Sequence, residues 1–156
     1  MTSKTTAPLG DLGLRGLSLL CPDHLRRVAT LCRRLLDCAT ANDGRALVIE
    51  WNALEAALLD HMDAEEEVIL PAYAQHAPED ARQIRADHER LRALLAPIGI
   101  EVELHEIRIA RLRALVGVLE AHALDEDIGM YPWAEHNLPR LHRLLFARVN
   151  RSLERC

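Results

Sequence analysis

The chain has 156 residues, of which 49% are hydrophobic, 28% are charged and 3% are aromatic, and its formal net charge is -5. That length suits one domain with a sizeable core, and the acidic charge gives no basic field for binding nucleic acid. Scarce aromatic residues and short β-branched runs predict an all-α fold without a sheet.

The first residues differ in composition from the rest of the chain. They are polar and interrupted by Gly and Pro, and the apolar stretch at residues 17–21 is far too short for a signal peptide or a membrane span. We therefore predict an N-terminal extension over residues 1–19, one domain over residues 20–156, and a cytoplasmic protein.

The first helical segment carries a single His on its apolar stripe. His24 and large apolar residues recur at spacings of four and three, which is the period of one helix face. The stripe consists of Cys21, His24, Val28, Leu31, Leu35 and Cys38. Cys21 lies one turn before His24, where core packing and a thiol close to a site both fit the pattern. The four cysteines have no Cys-x-x-Cys spacing, so we expect reduced thiols and no zinc finger.

The second segment has His61 four residues before Glu65 and ten residues before Pro71. Four residues span about 400° of helix rotation, so His61 and Glu65 lie one turn apart on one face and can bind the same metal centre. The face is apolar and therefore points inward, because it also carries Leu47, Trp51, Leu54, Leu58 and Val68. An isolated inward His is more typical of a hydrogen-bonded core residue. A buried unpaired carboxylate, however, is costly unless it is protonated or binds a metal.

The third and fourth segments repeat the first and second. The third has one His, His88, on the stripe Ile84, His88, Leu91, Leu95 and Ile98. In the fourth, His122 lies four residues before Glu126 and ten before Pro132, on the stripe Leu112, Leu115, Leu119, His122 and Glu126. This internal repeat of a helix pair predicts a dinuclear metal site with two His-x-x-x-Glu pairs.

The spacing of the histidines tests whether they can meet in an up-and-down bundle. There, two residues at one level lie equally far from the turn between their helices. The midpoint between His24 and His61 falls in the turn signal at residues 42–44, and the midpoint between His61 and His88 falls in the proline break at residues 71–78. These three imidazoles can therefore lie at one level.

The connection between the third and fourth segments leaves two alternatives. The midpoint between His88 and His122 is His105, but the helix-breaking Pro97 comes earlier. Either the third helix continues past a kink at Pro97, or residues 98–105 follow the bundle as an extended loop.

A fifth amphipathic segment is predicted from about residue 138 to 153. Its apolar stripe consists of Leu138, Leu141, Leu145 and Val149. We expect it to pack across the bundle. A dimer interface would produce the same pattern, and a membrane-surface helix is a weaker alternative.

These motifs resemble the hemerythrin-like (HHE cation-binding) family over about residues 20–135. The specific part is the pair His61-x-x-x-Glu65 and His122-x-x-x-Glu126, each with its trailing proline. The resemblance implies an up-and-down antiparallel four-helix bundle, here with an additional C-terminal helix, around a non-haem di-iron centre with two bridging carboxylates. The implied ligands are His24, His61, Glu65, His88, His122 and Glu126. Ferritin-like bundles differ, because their Glu-x-x-His motif has the carboxylate first.

The chain departs from the oxygen-carrying hemerythrins in two ways. Their third helix has a His-x-x-x-His pair, whereas Ile and Arg lie four residues before and after His88. Their last helix has a carboxylate five residues after its His, whereas this chain offers both Glu126 and Asp127; correspondence with Glu65 in the repeat favours Glu126. The reduced set favours the short HHE subgroup over a pure oxygen carrier.

The ligand count predicts the metal and its chemistry. Four imidazoles, two bridging carboxylates and an oxo or hydroxo bridge leave at least one position open on each metal. Such a site suits iron better than calcium or magnesium, with manganese or zinc less favoured. We therefore expect two iron ions and a small ligand, either a diatomic such as oxygen or nitric oxide, or peroxide.

Three functional classes are compatible with this site. The favoured one is a di-iron protein that binds or senses oxygen, nitric oxide or peroxide without being an enzyme. The second is a di-iron enzyme that scavenges peroxide or repairs iron centres, and the third is a regulatory bundle with a structural metal. The chain shows no separate redox-active Cys pair and no DNA-binding segment, which weighs against repair and direct transcriptional roles.

Other polar residues near the motifs have alternative roles. Glu66 and Asp127 lie about 100° around the helix from the proposed ligands, where each can accept a hydrogen bond from a ligand imidazole. Asp127 is equally compatible with a solvated surface position, which is the expectation for Glu67. The remaining histidines lie near breaks or on the last segment and are predicted to be non-ligands: His76, His105, His136 and His142.

Overall fold

The computed structural model describes the backbone of residues 22–154, and their side chains except those of residues 22–28, 142, 146 and 149–154. Over this range the chain forms seven helices and no strand: α1 (Pro22–Thr40), α2 (Gly44–Val68), α3 (Leu70–His76), α4 (Pro78–Glu103), α5 (Ile109–Ile128), α6 (Met130–Asn137) and α7 (Pro139–Glu154). The prediction of an all-α fold is confirmed. The proposed N-terminal extension, residues 1–19, lies outside the described residues.

The turn between α1 and α2 falls where the sequence predicted it. Asn42 adopts a positive φ of 56°, which Asn tolerates better than most residues, and Asp43 caps α2 by accepting a hydrogen bond of 3.1 Å from the backbone N–H of Ala46. Just after this turn, a Cβ on Gly44 would lie only 2.6 Å from Nδ1 of His105, so a larger residue there would displace the exposed His105 side chain.

Each His-x-x-x-Glu helix is followed by a short helix that the sequence analysis did not separate from it. The breaks fall at Ile69, between α2 and α3, and at Gly129, between α5 and α6. Pro71 and Pro132 then lie in the first turn of the short helices, where a missing backbone N–H is tolerated. The prolines therefore end the long helices within about two turns of their carboxylates.

The third predicted segment continues as a helix through Pro97, which lies inside α4. Of the two alternatives for residues 98–105, the continued helix is thus confirmed as far as Glu103, and the extended loop is wrong. Helix α4 ends at Glu103, and His105 follows it with a φ of 55°.

Helices α1, α2, α4 and α5 contact one another in a closed order, α1 with α2, α2 with α4, α4 with α5 and α5 with α1. Their apolar faces, together with those of α3, α6 and α7, form two buried clusters. The larger cluster includes Trp51, Leu54, Leu58, Leu91, Leu95, Leu112, Leu115 and Leu119. The smaller cluster includes Ile69, Leu70, Tyr73, Ile84, Met130, Tyr131 and Leu145. Every His-x-x-x-Glu segment runs from the first cluster to the second, so its polar side chains lie between them.

Helix α7 covers the segment predicted from about residue 138 to 153 and contacts α1, α2 and α6. Of the predicted stripe, Leu145 is buried, Leu138 is half-buried and Leu141 is exposed. The side chain of Val149 lies outside the described residues. Within the described part of the chain, none of the helices combines the length and apolarity needed to cross a membrane.

Two of the four cysteines can be assessed. Cys32 and Cys38 are free thiols, as expected, while Cys21 and Cys156 lie outside the described residues. Burial in the larger cluster raises the pKa of Cys32 to about 12, so this thiol is unreactive near neutral pH.

Candidate metal centre

Three imidazoles and two carboxylates from three helices meet between the two apolar clusters. Helix α2 supplies His61 and Glu65, α4 supplies His88, and α5 supplies His122 and Glu126. One ligand atom from each of Glu65, His88, His122 and Glu126 lies within 4.8 Å of the others. His61 adjoins this group, because its Nε2 lies 3.0 Å from Oε1 of Glu65 and 3.8 Å from Oε2 of Glu126.

Both carboxylates contact imidazoles of more than one helix. Oε1 of Glu126 lies 2.9 Å from Nε2 of His122 and 3.4 Å from Nε2 of His88. Oε2 of Glu65 lies 3.3 Å from the same nitrogen of His88. The two oxygens of each carboxylate thus face different imidazoles, an arrangement that suits a carboxylate shared between two metal ions.

The two carboxylates of the site are buried, so their ionised form needs positive charge close by. Glu65 and Glu126 are 0% and 1% exposed, and neither forms an ion pair with a Lys or Arg among the described residues. Burial alone lowers the pKa of His61 and His88, but the two carboxylates reverse this and raise each to about 10. Burial alone raises the pKa of Glu126, yet the surrounding imidazoles hold it well below its usual range. Positive charge is therefore favoured inside this site, whether protons or a metal supply it.

The unpaired polar atoms fit a metal ion. Among the described residues, both ring nitrogens of His122 and Oε2 of Glu65 are buried without a hydrogen-bond partner. Nε2 of His122 is close to Glu126, but it is not aligned to donate to it. A cation bound between them would satisfy these lone pairs, and nitrogen plus oxygen donors are the set that transition metals prefer over calcium or magnesium.

His88 is held from behind by a second group of charges. Its Nδ1 lies 2.8 Å from Oε1 of Glu66, so Nε2 faces the carboxylates of the site. Arg92 donates to the same Glu66 oxygen at 2.8 Å and to Oδ1 of Asp63 at 2.8 Å. Burial raises the pKa of Glu66, but the hydrogen bonds from Arg92 and His88 lower it overall.

This contact confirms that Glu66 can accept a hydrogen bond from a ligand imidazole, as the sequence analysis proposed. Arg92 and Asp63 were missed. The available signal was that Arg92 follows His88 by four residues and so lies one turn along the same face of α4.

The carboxylates that follow the motif differ in exposure. Asp127 is buried, with 7% of its surface exposed, so the solvated alternative for Asp127 is wrong. Glu67 is exposed, as expected, and pairs with Arg148 of α7 at 2.6 Å.

Tyr131 is a further residue at the site that the sequence analysis missed. It is buried, and its hydroxyl donates a hydrogen bond to Oε1 of Glu65. The internal repeat gave no signal for Tyr131, because the matching position in the first half holds an apolar residue, Leu70.

The structure thus brings together five of the six predicted ligands. His24 belongs to the first turn of α1, but its side chain lies outside those described, so its role remains a prediction. His76, His105 and His136 are exposed and lie apart from the cluster, and the side chain of His142 is not among those described.

Comparison with known proteins agrees with this geometry. No curated protein and no solved structure matches the chain significantly. The sequence model of the Hemerythrin HHE cation binding domain matches residues 22–134, well over half of the chain and a range that includes all six predicted ligands. The chain therefore belongs to the hemerythrin HHE cation-binding domain family.

Proposed function

We propose that this protein is a non-haem di-iron protein that binds or senses oxygen or a related small species such as nitric oxide or peroxide. One observation carries the proposal. Glu65 and Glu126 come from matching positions of two helices, are almost completely buried, and face imidazoles instead of basic side chains. A pair of buried carboxylates with this environment is stable when two cations share it.

The architecture we propose for the site is an antiparallel four-helix bundle of α1, α2, α4 and α5, with α7 as an additional C-terminal helix. The closed order of contacts among the four long helices supports it. In this arrangement each long helix contributes one proposed imidazole ligand, and α2 and α5 also contribute the carboxylates.

The proposed ligand set consists of His24, His61, His88 and His122 as terminal ligands and Glu65 and Glu126 as bridges. Each metal then has two nitrogen and two oxygen donors from the protein, which leaves positions for an oxo or hydroxo bridge and an outside ligand. Iron bound there would supply one-electron redox chemistry and an open position for a small molecule. Manganese or zinc fits the donor set less well.

The surroundings favour a small, uncharged ligand. Leu58, Leu91 and Leu119 of the larger cluster are buried next to the polar group, and the smaller cluster closes its other side. An ion would lose its hydration there, whereas an apolar diatomic would not. The acidic net charge supports a small-molecule partner rather than nucleic acid, and we propose the cytoplasm as the place of action.

Metal analysis combined with spectroscopy tests the proposal. We expect about two iron atoms per chain, and a new visible charge-transfer absorption when oxygen or nitric oxide is added to the anaerobically reduced protein. Azide should bind the oxidised protein and compete for the same position. If the iron-loaded protein gives no spectral response to oxygen, nitric oxide or azide, the centre is closed and its metal is structural.

A further inference from the structure

In the described part of the chain, one hydroxyl reaches the site from outside α1, α2, α4 and α5. Tyr131, at the start of α6, belongs to the smaller apolar cluster, is 4% exposed, and donates a hydrogen bond to Oε1 of Glu65. The bond links the start of α6 to the carboxylate of α2, which lies 66 residues away in the chain.

This contact has no equivalent in the other half of the internal repeat. Tyr131 follows His122 by nine residues, and the residue nine after His61 is Leu70, which is buried but carries no hydrogen-bond donor. Each of these positions directly precedes the trailing proline of its half. A hydroxyl therefore donates to Glu65. The matching residue of the first half, Leu70, is apolar, so the repeat supplies no corresponding hydroxyl for Glu126.

We infer that Tyr131 is a positioning residue that makes the two carboxylates, and with them the two metal positions, inequivalent. The inference rests on the proposed metal centre. A hydrogen bond to Oε1 fixes the orientation of the Glu65 carboxylate and withdraws electron density from that oxygen, so its two oxygens become unequal donors. Glu126 is held by imidazoles alone among the contacts described.

The contact assigns Tyr131 as a hydrogen-bond donor to Glu65. Its hydroxyl lies against the carboxylate oxygen Oε1, and in this pair the hydroxyl is the group that has a proton to donate.

The chain provides a matched control, because it contains only two tyrosines. Tyr73 belongs to the same apolar cluster and is buried to a similar extent, but its hydroxyl lies 3.4 Å from Asp80 rather than at the site. Tyr73→Phe and Tyr131→Phe thus remove the same atom from the same cluster, and only the second removes a contact with Glu65.

The hydrogen bond can be tested without metal by ultraviolet resonance Raman spectroscopy. In metal-free Tyr73→Phe protein, Tyr131 is the sole tyrosine, and its Fermi doublet should have the intensity ratio of a strong hydrogen-bond donor. Adding Glu65→Gln should shift the ratio toward that of a weaker donor. A ratio typical of a hydroxyl that donates no hydrogen bond would overturn the inference whether or not the protein binds iron.

The inequivalence is tested by anaerobic titration with Fe²⁺ against a chelator. We expect two unequal binding steps in the wild-type protein and in Tyr73→Phe. Tyr131→Phe should weaken one step by about tenfold or more and change the other by less than about twofold. Circular dichroism checks that both variants remain folded.

The remaining outcomes separate this inference from the proposed function. Equal effects of Tyr131→Phe on both steps, or none on either, would overturn the inference and leave the di-iron proposal standing. A visible charge-transfer band that the ferric wild-type protein has and Tyr131→Phe lacks would show a phenolate ligand instead and overturn it too. Failure of the wild-type protein to bind iron would overturn both.

Discussion

The two His-x-x-x-Glu segments have the same spacing but different surroundings. In the first, Glu65 receives a hydroxyl hydrogen bond from Tyr131, and the following Glu66 is half-buried and holds His88. In the second, Glu126 contacts imidazoles from all three helices described at the site, and the following Asp127 is buried. Helical spacing thus determines which groups reach the centre, while the neighbouring helices make the two halves chemically different.

The largest expected effect comes from Glu126→Ala, because this carboxylate contacts three imidazoles. Both metal positions should be lost, together with the stabilisation that metal binding provides, about 3–4 kcal/mol when free iron is roughly 100–1,000 times the dissociation constant. Metal analysis and thermal unfolding in the presence of iron measure both effects.

Glu65→Ala should act in the same direction, and Glu67→Ala provides the control, since Glu67 lies on the same helix but is exposed. If Glu126→Ala or Glu65→Ala retains full iron with unchanged stability, that carboxylate is not a bridge.

A smaller effect is expected from His24→Ala, which should weaken one metal more than the other. His24 and His61 lie equally far from the α1–α2 turn and therefore at one level, so without His24 one metal keeps a single nitrogen donor. Iron stoichiometry and the two steps of a titration report the change. His105→Ala and His142→Ala should leave the stoichiometry intact, and loss of iron in His105→Ala with none in His24→Ala would reverse the assignment.

Removing the group behind His88 should weaken metal binding without changing its stoichiometry. Glu66→Gln and Arg92→Leu each disturb the contacts that orient His88, and loss of such outer contacts typically costs about 10–100-fold in metal affinity. Competition titrations against a chelator measure this loss.

Arg82→Leu is the matched control for Arg92→Leu, because Arg82 also lies on α4 but, among the described residues, pairs with the exposed Glu79 alone. If Arg92→Leu binds metal as tightly as Arg82→Leu does, then the charge of Arg92 contributes nothing to the site.

The smallest effect is expected at the surface of the first segment. Arg148 of α7 pairs with Glu67 at 2.6 Å and with Asp60 at 3.6 Å, contacts that the second segment lacks among the described residues. Exposed ion pairs contribute at most about 1 kcal/mol, so Arg148→Ala should change the free energy of unfolding by no more than this. Metal affinity should stay the same, and a tenfold loss of affinity would show that α7 acts on the centre.

Local helix geometry explains how much of the site could be predicted. Residues four apart on a helix face the same way, so the pairing of His61 with Glu65 and of His122 with Glu126 followed from spacing alone. The apolar stripes around them then predicted burial. The burial of Asp127 could not be predicted in this way, because a residue outside the stripe is buried or exposed according to what packs against it.

Amino-acid sequence by itself determined the all-α class, the turn at residues 42–44, and the inward direction of both His-x-x-x-Glu pairs, since each depends on neighbours within a turn or two. Only the tertiary structure decided that α4 continues through Pro97, that Arg92 supports Glu66, and that Tyr131 reaches Glu65. The last two contacts join residues 26 and 66 positions apart. Their geometry depends on how helices pack together, which no local periodicity records.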